Sequence, residues 1–173
     1  MPLPEPRSRR RHLIAALFAA PLAACGFKLR GARELPFATI YLSSGADTAL
    51  GAELARNIRA GTSTAVVADR SKAEAVLEIV NERREREILS VNAQGRAREY
   101  TLRLRLSFRL HDGKGRDFIP LTELAVVRDI SYNEAQVLAK ESEESLLYRD
   151  MQSDIVQQIL RRLATAKADA TKG

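Results

Sequence analysis

Between Tyr100 and His111 apolar and polar residues alternate without a fault. Tyr100, Leu102, Leu104, Leu106, Phe108 and Leu110 stand on one side of the count, and Thr101, Arg103, Arg105, Ser107, Arg109 and His111 on the other. A period of two sustained this long fits a β-strand with one buried and one wet face. Such a strand needs a sheet around it and a second layer over its apolar side. Asp112-Gly113, with Gly115 just beyond, predicts a hairpin turn. Residues 118–130 predict the returning strand, and Pro120 places it at an edge or an irregular position. Upstream, residues 75–80 predict a strand leading into Glu82-Arg83-Arg84-Glu85-Arg86-Glu87, then Ile88, Leu89 and Val91, with a turn at Gly95.

The covering layer is legible as two helical stripes. Leu50, Leu54 and Ile58 recur at i, i+4, i+8, with Asp47 as the expected N-cap and Gly61 as the terminator. Leu147, Met151, Ile155, Ile159 and Leu163 recur every four residues, widened by Val156 and Leu160. Glu141, Glu143 and Glu144 are expected in the first turn of that helix and Arg161 and Arg162 in its last, the signs the helix dipole favours. Thr39-Ile40-Tyr41-Leu42 reads as a short strand ended by Ser43-Ser44-Gly45. The order β-α-β-β-β-α predicts the α/β class, an α+β sandwich. A four-stranded mixed or antiparallel sheet carries both helices on one face, and Leu102 to Leu110 share a core with Leu50, Leu54, Ile58, Met151, Ile155 and Ile159.

The 173 residues suit one domain. One cysteine excludes an intramolecular disulfide and any multi-cysteine metal site, and His12 and His111 are the only histidines. His111 reads as a turn residue beside Asp112. Ser43, Ser44, Ser71 and Ser131 fall in loops without a G-x-S-x-G elbow. No catalytic constellation emerges, so the chain reads as a non-enzyme with no cofactor and no metal.

The N-terminus carries a different message. Arg7, Arg9, Arg10 and Arg11 precede the apolar run Leu13 to Ala20, Pro21 breaks it, and Leu22-Ala23-Ala24-Cys25 follows. Charge, apolar run and small residues in that order form an export signal too short to remain as a membrane span. Cysteine directly after Leu-Ala-Ala matches the bacterial lipoprotein signal, so Cys25 is the expected lipidation site and new N-terminus. Gly26, in place of an inner-membrane-retaining aspartate, directs the protein to the outer membrane on its periplasmic side. Several acyl chains on one residue anchor stably where one does not. Export also removes nucleic acid as a partner. The expected layout is a signal peptide over 1–24, a lipidated tether over 25–36, one domain over 37–166 and a frayed tail over 167–173.

Arginine forks suit phosphate and carboxylate, and Arg103, Arg105 and Arg109 share the wet face of the best strand. A three-residue turn centred on Gly95 pairs residues whose numbers sum to 190, setting Glu85 against Arg105 and Glu87 against Arg103. Those arginines are then structural, neutralised across the ladder. Arg96 and Arg98, at the tip, have only Glu99 nearby.

These residues carry a resemblance. CGFKLRG after the lipobox, the hairpin AQGRAREYTLRLRLSFRL and the segment RDISYNEAQVLAKESEESLLYRDMQSDIVQQILRRL closely resemble the lipopolysaccharide-assembly lipoprotein family, LptE, formerly RlpB. The resemblance spans most of residues 25–163 and is weakest over 43–74. It implies a four-stranded sheet with two helices, and residence in the lumen of an LptD-type outer-membrane β-barrel that the lipoprotein plugs and helps to assemble. It also implies lipopolysaccharide binding through basic residues at the hairpin tip and near the start of the last helix. Lys140 matches the second of these; the first falls at Ala93, so that contact is missing here and Arg96 or Arg98 could substitute for it. Two other readings stay open: an envelope scaffold lipoprotein binding only protein, and a periplasmic carrier or hydrolase for another anionic ligand.

Overall fold

The computed structural model describes residues 34–44 and 47–166. The expected signal peptide, Cys25 and the C-terminal tail lie outside the described residues. One sheet has the strand order β2-β1-β3-β4-β5, built from β1 (Thr39–Leu42), β2 (Ala65–Val67), β3 (Ala75–Val91), β4 (Ala97–His111) and β5 (Asp117–Ser131). β1 pairs in parallel with both β2 and β3, while β3, β4 and β5 form an antiparallel meander. Helix α1 (Ala49–Gly61) joins β1 to β2, and helix α2 (Val137–Thr165) follows the meander.

The sheet has five strands rather than four. Ala65–Val67 is three residues long, too short to display a period, and pairs along β1 at the sheet's edge. β5, with Pro120, is the opposite edge, where a missing N–H does not break a ladder. Thr48, not Asp47, caps α1: its Oγ1 accepts the Gly51 N–H at 3.0 Å. Gly61 is the last helical residue, and the helix closes at Thr62, whose N–H reaches the Ile58 carbonyl. α2 starts at Val137, so the glutamates fall beyond its first turn, which holds no acid. The chain enters α2 instead through a short 3-10 turn in which Asn133 Oδ1 accepts the Ala135 N–H. Leu35, expected in the tether, is buried in the core with Phe37.

The eleven core residues expected from β4, α1 and α2 are all buried. Leu147 is only half-buried, and Tyr148 takes its place on the inner stripe. The Tyr148 hydroxyl donates to the Glu85 carbonyl at 2.8 Å, tying α2 to β3.

Two local devices set the register of β3 against β4. The first is the loop. Val91 pairs with Ala97, and Asn92 N–H donates to the Arg96 carbonyl at 2.8 Å, leaving Ala93, Gln94 and Gly95 as the turn. Asn92 Oδ1 accepts the N–H groups of Gln94 and Arg96, and Gly95 takes φ 74°, the left-handed position that closes a three-residue hairpin. Glycine therefore ends the turn rather than centring it. Glu85 faces Arg103 and Glu87 faces Thr101, two residues from the expected register and so on the same face.

The second device is a bulge at Val80, between the pairs Ile79–Phe108 and Asn81–Ser107. Before it, Leu77 and Ile79 share the helix-facing side with Leu110 and Phe108; after it, Arg84, Arg86 and Ile88 lie opposite Leu104, Leu102 and Tyr100. The inserted residue exchanges odd for even along β3. Were Val80 paired in a regular ladder, Arg84 and Arg86 would stand on the outer face beside Arg103 and Arg105; because it bulges, Glu85 and Glu87 do.

Candidate functional site

The outer face of the meander is a neutralised ladder. Arg103 Nη1 lies 3.6 Å from carboxylate oxygens of both Glu85 and Glu87. Arg105 reaches Glu123 at 3.1 Å and Glu85 at 3.4 Å, and these carboxylates, Glu123 first, hold its pKa above the ordinary arginine value. Arg109 Nε donates to Glu78 at 2.7 Å. That bond is the main reason Glu78 titrates below the usual glutamate range. The structural role expected for Arg103 and Arg105 therefore has a geometric basis, with Glu85 serving Arg103 directly across the ladder and Arg105 diagonally.

His111 is buried. Its Nδ1 accepts the Gly113 N–H at 2.9 Å, and its Nε2 lies 3.3 Å from the Glu78 carboxylate. It locks the β4–β5 turn. Among the described residues no cluster of histidine, cysteine and carboxylates could hold a metal ion.

The far end of the meander differs. Residues 88–98 hold Arg96 and Arg98 and no acid. Arg98 stands in the register shift between the pairs Ser90–Glu99 and Val91–Ala97, and Glu99 accepts the Ser90 hydroxyl at 2.7 Å. The structure brings Lys140 to this same end. Its Nζ donates to Ser131 Oγ at 3.1 Å and to Glu143 at 2.8 Å. Ser131 pairs with Glu99, and the next residue, Tyr132, donates its N–H to the Arg98 carbonyl at 2.7 Å. Lys140 is thus no free cation: its side chain is 15% exposed and faces a carboxylate.

A cluster that the alternation conceals sits beside it. The Arg86 guanidinium lies 3.9 Å over the Tyr100 ring and 5.6 Å from that of Tyr132, and pairs with Glu144 at 3.0 Å. Tyr100 and Tyr132 meet edge to face at 5.2 Å. Tyr100, followed by Glu144, accounts for the raised pKa of Arg86, against the effect of burial. Arg84 covers the Tyr148 ring in turn. These contacts hold the start of α2 against the hairpin, and so position Lys140. The arginines of β3 were visible in the sequence, but their aromatic partners come from separate segments; the Val80 bulge alone turns them inward.

A shallow cleft of about 490 Å³ lies between β3 and α2, lined by Arg84, Arg86, Glu141, Glu144, Ser145 and Tyr148. Its two arginines and two glutamates cancel in charge.

The lipopolysaccharide-assembly family model, LptE, matches residues 37–163, nearly the whole described domain. The chain belongs to the LptE family. It is 30% identical over 169 residues to the LPS-assembly lipoprotein LptE of Yersinia pestis, covering 96% of this chain and 81% of that protein. The solution structure of lipoprotein B from Nitrosomonas europaea is similar, with a TM-score of 0.68 and 42% identity over 80% of this chain and 90% of that one. Rare lipoprotein B from Shewanella oneidensis shares the fold at 23% identity, with a TM-score of 0.62 over 73% of this chain and 94% of that one. The resemblance read from the hairpin and α2 motifs is therefore correct. No described helix is long and apolar enough to cross a membrane.

Proposed function

We propose that this LptE-family protein is an outer-membrane lipoprotein, anchored through Cys25, that plugs and helps to assemble an LptD-type β-barrel. It binds lipopolysaccharide on its way to the outer leaflet. The observation that carries this reading is the convergence of Arg96, Arg98 and Lys140 at one end of a sheet on whose outer face Arg103, Arg105 and Arg109 pair with glutamates. Arginine and lysine at a protruding hairpin suit the phosphates of an acylated sugar. The work is physical: the basic end holds anionic groups transiently while lipid passes, and no bond is made or broken. The sandwich, closed on one face by its helices, leaves a charged outer face that suits the polar interior of a barrel.

The test is to express the tagged full chain in a Gram-negative host and solubilise the outer membrane in detergent. A large β-barrel and lipopolysaccharide should co-purify with it, and metabolic labelling with a clickable palmitate should mark the chain, with a Cys25→Ser variant unlabelled. Recovery of the chain without barrel or lipopolysaccharide would contradict the reading.

A further inference from the structure

The two turns that flank β4 are held by the same local device with different acceptors. At the tip, Asn92 Oδ1 accepts the Gln94 N–H at 3.0 Å. At the opposite end, His111 Nδ1 accepts the Gly113 N–H at 2.9 Å. Each side chain thus holds the backbone two residues on, the pattern of an Asx turn. An amide oxygen accepts at any pH, whereas a ring nitrogen accepts only while it carries no proton. With Nδ1 engaged by Gly113, the neutral ring holds its proton on Nε2. His111 is 6% exposed, and its Nε2 lies 3.3 Å from Glu78 Oε2 without completing a hydrogen bond to it. Arg109 Nε donates to the same carboxylate. Asp112, Lys114 and Arg116 stand in the turn, Asp117 lies opposite His111 on β5, and Arg162 of α2 lines a shallow cleft with Asp117.

We infer that His111 is a proton-operated latch on the β4–β5 turn. Neutral, the ring holds the Gly113 N–H. Protonated, it carries N–H on both nitrogens, so Nδ1–H meets the Gly113 N–H donor to donor and that bond is lost. The charged ring turns instead to Glu78, an opposite charge already beside Nε2. The remainder of the turn does not titrate with it. Asp112 Oδ1 accepts the Lys114 and Arg116 N–H groups, and these bonds, Lys114 first, hold its pKa below the ordinary aspartate value. Mild acid therefore releases the head of this turn and leaves the Asn92 turn closed, so the two ends of the meander answer differently to pH. The latch does not depend on the lipid reading.

The experiment follows the full, isotope-labelled chain in detergent micelles by NMR between about pH 8 and pH 5, the range across which histidine ordinarily changes charge. At the alkaline end the ring nitrogen shifts should report a neutral His111 with its proton on Nε2. As the ring charges, protection of the Gly113 amide, corrected for the intrinsic pH dependence of exchange, should fall roughly tenfold, as for the loss of one hydrogen bond. Protection of Gln94 should stay constant. His111→Asn places an amide oxygen where the ring nitrogen was, as Asn92 does at the tip, and should make Gly113 protection independent of pH. Glu78→Gln should move the fall to lower pH, because the charged ring loses its partner. A neutral ring protonated on Nδ1, a ring still neutral at the acid end, or Gly113 protection that survives charging of the ring would overturn the inference, and none of these requires a variant to fold. A folded His111→Asn chain that still loses Gly113 protection in acid, or a folded Glu78→Gln chain whose fall is unshifted, would overturn it too.

Discussion

Leu106 stands on the buried side of β4 at 1% exposure, opposite Leu124 of β5. Leu106→Ala should cost roughly 2–5 kcal/mol in denaturant melts, the usual penalty for truncating a buried leucine. Gly95 is a different case. A Cβ there would meet nothing within 4 Å, but φ is 74°. Gly95→Ala should therefore lose only the left-handed backbone strain, roughly 1–2 kcal/mol, and Gly95→Asn should lose less. Glu78 links residue chemistry to pH. The Arg109 guanidinium holds it below the ordinary glutamate value of 4.5. Its contribution is complete above that unfolded value and disappears as pH falls through the lower folded one. Glu78→Gln should flatten the acid limb of a stability profile taken between roughly pH 6 and 3.

At the scale of elements, the features that repeat along the chain were legible before any coordinates. β4 repeats its period through twelve positions, and the α2 stripe recurs from Met151 to Leu163, so both survive small errors of boundary. Events confined to one residue were not legible. β2 is too short to show a pattern, and the Val80 bulge leaves only an exchange of parity between Glu78 and the Glu85–Glu87 pair as its trace. That exchange is nonetheless what aligns acid with base. Deleting Val80 should preserve that alignment, because Ile79 and Asn81 then become neighbours opposite the neighbouring Phe108 and Ser107 and Glu85 still faces Arg103, so the variant should melt close to the wild type. A chemical melt of the deletion variant reads this directly. Arg86 is likewise the fastening of α2's first half. Arg86→Ala removes the Tyr100 stack and the Glu144 pair. Faster amide exchange over residues 137–147, with β4 still protected, is the expected outcome.

Over the whole molecule, a helix-covered sheet extends a long hairpin whose middle is neutralised and whose end is basic. The tip arginines were visible in the sequence as cations with only Glu99 nearby. Lys140 joined them only through the resemblance, because its nearness to Arg98 depends on β5 returning alongside β4. The fold also refines its role. Paired with Glu143 and bonded to Ser131, Lys140 orders the site as well as charging it. The central claim is that anionic lipid is bound at this end and not along the matched ladder. The deciding measurement is lipopolysaccharide binding by two variants of the full chain, with thermal melts taken in parallel. Arg96→Glu/Arg98→Glu/Lys140→Glu should lose most of its affinity with the fold intact, while Arg103→Ala/Arg105→Ala binds as the wild type does. Undiminished binding by the folded first variant, or loss confined to the second, would contradict the account.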